Sequence, residues 1–301
     1  MTIKKITIFA LSICLAVVLV RLTFKPSVPT KHENMITIGS KDFTESIVLA
    51  HMMADIIEEE TDIKVNRKVN LGGSSIAIKG LLDKEIHIYP EYTATILYNL
   101  YPEKTASTET PMNRIKKALK SDSLELTNLF GFNSGYELAV KKEIAEKYKL
   151  ETLQDLAEVS HEMTLGCDFE CLDRPDGYRS LCDKYNLRFK KVKGMNRGIM
   201  FRSLDLNVVD IVIASRTEAQ VQINELKILK DNRSLFPPYE AGALVHQDIL
   251  KRYPEIRIAL AKLEGQISEE EMREINVKIE FEGLKTKDVA HAFLKSKSLV
   301  K

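Results

Sequence analysis

The chain reads as an α/β fold with mostly parallel sheets, arranged in two lobes. Short apolar strands alternate with helical stretches along most of its 301 residues, the β-α-β rhythm of crossover-connected sheets. That length suffices for two domains with separate cores. Two breaks mark places where the chain crosses between lobes. One is 131–135, with Gly131 and Gly135; the other is 231–239, with Asn232, Pro237 and Pro238. Leaving one lobe at the first and returning at the second makes that lobe discontinuous, with two crossing segments as a hinge. The predicted division is a leading segment at 1–34, one lobe from 35–132 with 240–301, and the other from 133–239.

The elements follow in order. Met35–Gly39 is a strand, and Thr44–Glu60 an amphipathic helix with Thr44 as its predicted cap. A strand at 63–69 and a short helix at 74–82 lead to a strand around Ile86 and Ile88, which alternate with polar residues. Pro90 cannot donate to a ladder, so this strand is expected to stop there. Helices are predicted at 114–120, 143–149, 153–159, 177–186 and 198–206. Strands are predicted at 136–140, 163–166, 208–214 and 241–245. The tail from 248 to 299 reads as three helices, broken near Gly265 and Gly283. There is no internal repeat.

The stretch Glu85-Ile86-His87-Ile88-Tyr89-Pro90-Glu91-Tyr92-Thr93-Ala94-Thr95 carries the first functional signal. It places Tyr92, Thr93 and Thr95 just past a strand end, where α/β folds bind ligands. A tyrosine offers an electron-rich face to cations, and the threonines offer hydroxyls. By itself the segment reads more readily as a packed turn.

Composition narrows the field. Lys plus Arg is 44 and Asp plus Glu 43, which argues against a nucleic-acid surface driven by overall charge. Tryptophan is absent, so aromatic recognition falls to Tyr and Phe. Lys4 and Lys5 precede an apolar run from Ile6 to Val20, the layout of an export signal. No small-x-small cleavage site follows. Cys14 partly fits a lipoprotein box, but Ile13 stands where a small residue is expected, so an uncleaved anchor is favoured over a lipid. The run is shorter than the roughly 20 residues of a comfortable span. A polar linker with Pro26 and Pro29 follows.

Cys167, Cys171 and Cys182 have neither Cys-x-x-Cys spacing nor a histidine cluster, which argues against zinc. In an oxidising compartment two of them form a disulfide or all three stay free; spacing does not choose. No Gly-x-Ser-x-Gly, His-Glu-x-x-His or Gly-x-x-x-x-Gly-Lys motif occurs, which leaves an enzyme open, because catalytic partners need not be near in sequence. The loop Leu71-Gly72-Gly73-Ser74-Ser75 reads as a helix start, with presentation of its backbone N–H groups to an anion as the less common alternative.

Six landmarks occur in a fixed order: Gly39-Ser40-Lys41-Asp42-Phe43-Thr44-Glu45, Asn70-Leu71-Gly72-Gly73, Tyr89-Pro90-Glu91-Tyr92-Thr93-Ala94-Thr95, Gly131-Phe132-Asn133, Arg174-Pro175-Asp176-Gly177 and Phe236-Pro237-Pro238-Tyr239-Glu240. From about Met35 onward the chain resembles the substrate-binding proteins of osmoprotectant ABC importers, which take glycine betaine, carnitine or choline. The resemblance implies a type II periplasmic-binding-protein fold with ligand in the interlobe cleft, a receptor and not an enzyme, no cofactor, and an ABC permease with its ATPase as partner. It further implies an extracytoplasmic location, tethered to the membrane by the N-terminal segment. By position, Tyr92, Tyr136 and Tyr239 match cage aromatics. Lys41, Thr95 and Arg174 match residues that hold a ligand carboxylate.

One departure bears on the ligand. After the strand at 208–214 similar proteins continue with a tyrosine, where this chain has Ser215-Arg216-Thr217-Glu218-Ala219. Ser215 therefore stands in the place of a fourth cage wall. Arg216 opposes a cation if it points inward and is a surface charge if it points outward. A three-walled cage binds a quaternary ammonium more weakly or admits a different ligand. Another small amine or amino-acid derivative, or a ligand-sensing role, is the alternative.

Overall fold

The structure, a computed structural model, describes residues 34–102 and 109–301. The predicted signal, anchor and linker lie almost wholly outside them. Ile36–Lys301 forms one compact unit, and it holds two five-stranded sheets.

The first sheet has the order β2-β1-β3-β10-β4. Its strands are β1 (Met35–Gly39), β2 (Lys64–Lys68), β3 (Ile88–Tyr92), β4 (Leu124–Asn133) and β10 (Glu240–His246). The second has the order β7-β6-β8-β5-β9, from β5 (Tyr136–Val140), β6 (Thr164–Cys167), β7 (Lys191–Gly194), β8 (Ile211–Ser215) and β9 (Lys227–Leu229). Helices cover the sheets, so the fold is α/β with two lobes. The sheets are mixed rather than mostly parallel. β10 runs antiparallel to β3 and β4, and β5 antiparallel to β8 and β9. The reversals fall on β5 and β10, the first strand after each crossing between the sheets.

The core explains the element pattern. Helix Thr44–Glu60 buries Val48, Leu49, Met52, Met53, Ile56 and Ile57 completely. That spacing fills one helical face, and each such side chain contributes roughly 1.5–3 kcal/mol on burial. The helix packs against helices Thr286–Ser296 and Glu255–Ala261. Its N-cap position is Phe43, with no side-chain cap bond, so Thr44 is the first helical residue and not the predicted cap.

Pro90 does not end β3. It sits mid-strand, opposite Ala243 in an unbroken register with β10. β1 ends at Gly39, just past its Ile38–Ile88 pair, so on that side Pro90 has no ladder to interrupt. The tail holds four helices, not three: Gln247–Arg252, Glu255–Ala261, Glu269–Glu280 and Thr286–Ser296. Tyr253-Pro254 divides the first predicted helix, since proline supplies no N–H to continue it. Gly265 and Gly283 break the tail as expected, both at positive φ.

β4 was not anticipated. Its Gly131 has φ +117°, and a Cβ there would lie 2.9 Å from the Gly265 backbone. Glycine serves a close approach inside a strand, so the first crossing between sheets is confined to Ser134-Gly135. The two connections between sheets are tied together. Asn133 Oδ1 accepts from Gly135 N at 2.9 Å and Tyr239 N at 2.8 Å, and Ser134 N donates to the Tyr239 carbonyl at 3.0 Å.

Cys167, Cys171 and Cys182 are free thiols. Burial pushes the Cys167 thiol up to about 12, which keeps it protonated and unreactive. Among the described residues, no helix is long and apolar enough to cross a membrane.

Candidate functional site

A cleft opens at the carboxyl ends of β1, β3, β6, β7 and β8, from which Lys41, Tyr92, Asp168, Met195 and Ser215 emerge. This is where an open α/β sheet leaves side chains and helix starts unpartnered. The cleft has a wide part of about 660 Å³ and a narrow inner pocket of about 40 Å³. All seven residues predicted for the site line the inner pocket: Lys41, Tyr92, Thr95, Tyr136, Arg174, Ser215 and Tyr239. Phe43, Ser134, Glu170 and Arg197 join them and were not predicted.

Lys41 is not a solvated surface charge. It is 4% exposed, and its Nζ pairs with the fully buried Glu91 Oε1 at 2.7 Å. Glu91 also accepts from the Tyr89 hydroxyl at 3.1 Å and the Tyr92 N–H at 2.8 Å. The Lys41 ammonium lies 4.7 Å from the centroid of the Tyr92 ring, within cation–π range. Tyr92 stacks with Phe43 at 6.3 Å and donates its hydroxyl to Glu45 Oε1 at 2.5 Å.

A second aromatic group faces it. Tyr136 meets Tyr239 edge to face at 5.3 Å and Phe236 at 5.9 Å. Arg174 is 3% exposed. Its Nε and Nη2 make two bonds of 2.9 Å to Asp176, and Nη2 reaches the Tyr239 hydroxyl at 2.8 Å. That hydroxyl also donates to Asp176 Oδ2. The guanidinium lies 5.2 Å from the Tyr239 ring. The loop packs tightly at Gly177, where a Cβ would sit 2.0 Å from the Cys171 carbonyl oxygen. Burial pushes the phenols of Tyr92, Tyr136 and Tyr239 up, so all three rings stay neutral.

Ser215 ends β8 directly opposite Tyr136 and lines both the narrow pocket and the wide cleft. Arg216 points away. It pairs with Glu137 at 3.0 Å and Glu269 at 3.9 Å, is 39% exposed, and lines neither space. The wide cleft carries Asp42, Glu45, Asp168, Glu170, Glu218 and Glu280 against Lys41 and Arg197. Arg197 is shared by Glu218 at 3.0 Å and Asp168 at 3.3 Å. Burial pushes the Glu218 carboxyl up to about 7, partly opposed by Arg197.

Aromatic faces, a buried guanidinium and an acidic rim are groups that interact favourably with a small zwitterion or cation. Two sheets joined by paired connections, with this cleft between them, define a type II periplasmic-binding-protein fold. The chain belongs to the OpuAC family, the substrate binding domain of ABC-type glycine betaine transport systems, which matches residues 34–296. It is 31% identical to the carnitine transport binding protein OpuCC of Listeria monocytogenes over 273 residues, 89% of each chain. It is 30% identical to the ergothioneine transport permease/ergothioneine binding protein EgtU of Helicobacter pylori, over 87% of this chain and 47% of that one. A crystal structure of a glycine betaine/carnitine/choline ABC transporter protein superimposes with a TM-score of 0.75 at 30% identity, covering 89% of this chain and 99% of the other.

Proposed function

We propose that this chain is the extracytoplasmic solute-binding protein of an ABC importer, and that it carries a quaternary ammonium osmoprotectant such as glycine betaine, carnitine or choline. The observation that carries the reading is the convergence of the largely buried side chains of Tyr92, Tyr136 and Tyr239 with those of Arg174, Lys41 and Thr95 on one pocket. A trimethylammonium group has no N–H to donate and is weakly hydrated. It is held best by several aromatic faces, each worth about 0.5–2 kcal/mol.

In this reading Lys41 and Arg174, whose cations lie over the Tyr92 and Tyr239 rings, turn to the ligand. A ligand carboxylate draws them aside, with Thr95 as a further donor, and the ligand's own cation takes their place over the rings. Ser215 leaves one side of the cage open. That opening favours a second reading, in which the ligand is another small amine or amino-acid derivative. The lobes are taken as 35–132 with 240–301, and 133–239, closing about the tied connections at Asn133–Gly135 and Tyr239. The N-terminal segment is taken as the membrane tether that keeps the protein beside its permease.

The test is a thermal-shift screen of the chain from Lys31 onward against betaine, carnitine, choline, proline betaine and ectoine. A ligand that binds only the folded state raises the melting temperature. A screen in which none of the quaternary ammonium compounds does so contradicts the proposal.

A further inference from the structure

Two histidines tie the first sheet together at the end away from the cleft. His87 directly precedes β3, and His246 ends β10. The β3–β10 register, which pairs Val245 with Ile88, runs on through them, with His246 N donating to the His87 carbonyl at 3.1 Å. On its other side His87 N donates to the Thr37 carbonyl at 2.8 Å, and its Nδ1 accepts from Thr37 N at 2.8 Å. The imidazole ring thus extends the pairing of β1 with β3 beyond Ile38 and Ile88. His246 is 7% exposed. Its Nδ1 accepts from Asp248 N at 3.2 Å and caps helix Gln247–Arg252.

Both bonds demand the same protonation state. A backbone N–H only donates, so each Nδ1 must be bare and each ring must be neutral with its proton on Nε2. A second proton would land on Nδ1 and set donor against donor at both places. The surroundings resist that proton. Lys84, Lys251 and Arg252 are the cations around the pair. Asp248, whose carboxylate lies 3.6 Å from His246 Nδ1, opposes them but is shared by Lys84 at 2.7 Å and Lys251 at 3.9 Å. Glu125 on the neighbouring strand stands opposite Val245 and pairs with Arg257. Burial leads in holding both imidazoles below the ordinary histidine value, and at His87 the neighbouring His246 adds to it.

We propose that His87 and His246 form one acid-sensitive joint: as neutral imidazoles they tie β1, β3, β10 and the helix that follows, and their protonation releases those ties. The joint lies at the opposite ends of the strands that present Lys41 and Tyr92, and neither histidine lines the narrow pocket or the wide cleft. A base whose folded value lies below its unfolded value stabilises the fold above the unfolded value, about 6.5 for histidine. That contribution is lost as pH falls from there through the folded values. Its sign is opposite to that of a buried carboxyl such as Glu218.

Nitrogen-15 NMR of the full chain reads the tautomers directly. Both rings carry a single proton, on Nε2, at about pH 8 and still do so near pH 6, where an ordinary histidine is mostly charged. The double variant His87→Asn with His246→Asn identifies the two signals by their loss. Asparagine sets an oxygen near the place of Nδ1, accepts the same bonds and does not titrate, and it is a favoured cap. Between about pH 8 and pH 5 the melting temperature of wild type falls relative to this variant by about 2 °C or more. The comparison cancels every other titrating group, Glu218 included. A proton on Nδ1 of either ring at pH 8, or the same pH trend in both proteins, overturns the joint. If the variant does not fold, the tautomers of the wild type decide alone.

Discussion

Tyr136 and Ser215 stand directly opposite one another across the β5–β8 ladder, and both line the narrow pocket. Opposed residues in an antiparallel pair hold their Cβ atoms about 4.5–5.5 Å apart on one face of the sheet. A ring at position 215 therefore falls beside Tyr136, with the wide cleft to receive its outer edge. Ser215→Tyr is expected to tighten choline or glycine betaine by a few fold to about thirtyfold, the value of one well-placed aromatic face. The gain is absent for a neutral ligand of the same size. Unchanged or abolished binding, measured by calorimetry, means that position 215 is not a missing cage wall.

Arg216→Thr leaves ligand affinity unchanged. The guanidinium is engaged by Glu137 and Glu269 outside the pocket, and an exposed pair of this kind is worth about 0–1 kcal/mol. A gain in affinity for a cationic ligand would show that the charge is felt in the cleft.

Arg174→Ala weakens glycine betaine about tenfold or more, since a charge-assisted hydrogen bond is worth about 1.5–3 kcal/mol. Choline, which has no carboxylate, loses much less. The variant is also destabilised without ligand, because Asp176 is left buried without its charge partner, a change that typically costs about 3–5 kcal/mol. Removing Asp176 as well recovers part of that stability. Equal losses for betaine and choline would make Arg174 purely structural.

Tyr92 has a structural part as well as a proposed ligand-binding one. It is 4% exposed, stacks on Phe43 and serves Glu45. Tyr92→Ala therefore lowers the apo melting temperature by creating a cavity. Tyr92→Leu, which keeps bulk but removes the π face, is the better probe. It weakens a quaternary ammonium ligand several fold while a neutral isostere is unaffected. Equal weakening of both would assign the ring to packing.

The Glu218 carboxyl, raised by burial to about 7, gives the fold and the cleft a pH dependence of stated sign. A carboxyl whose folded value lies above its unfolded value stabilises the fold below the unfolded value. That contribution is lost as pH rises from the ordinary glutamate range through about 7. Apo wild type is therefore less stable relative to Glu218→Gln at pH 8 than at pH 5. Cationic ligands bind tighter above pH 7 as the negative charge appears. Melting curves of both proteins at the two pH values check the first statement, and parallel pH trends would refute it.

The residues expected at the site were legible through their positions in the ordered motifs that carry the resemblance, with Ser215 as a departure from it, rather than through any local pattern. Lys41, Tyr92, Arg174, Ser215 and Tyr239 come from five separate stretches, and the fold places them around one pocket. Their carboxylate partners were not legible. Lys41 meets Glu91, 50 positions away, and Tyr92 meets Glu45, 47 positions away. Such pairs depend on which strands lie side by side, and no local pattern encodes that. Glu91 and Asp176 did leave a trace, since each is an acid within a quoted motif beside a predicted ligand residue. β4 escaped notice for a similar reason. Gly131 and Asn133 read as a polar break, whereas the glycine permits the approach of Gly265 and the asparagine ties the two connections. Pro90 misled because a single missing donor matters only where a neighbouring strand needs it.

The most direct test of the account is whether the pocket requires a quaternary cation. The chain from Lys31 onward is titrated calorimetrically with glycine betaine, carnitine and choline, each against its carbon isostere with a tert-butyl group in place of trimethylammonium. At least one of the three binds, and its isostere binds about tenfold more weakly or worse, as expected when several aromatic faces contribute about 0.5–2 kcal/mol each. Binding of none, or equal binding of a compound and its uncharged isostere, would contradict the proposal that Tyr92, Tyr136 and Tyr239 form a cation cage.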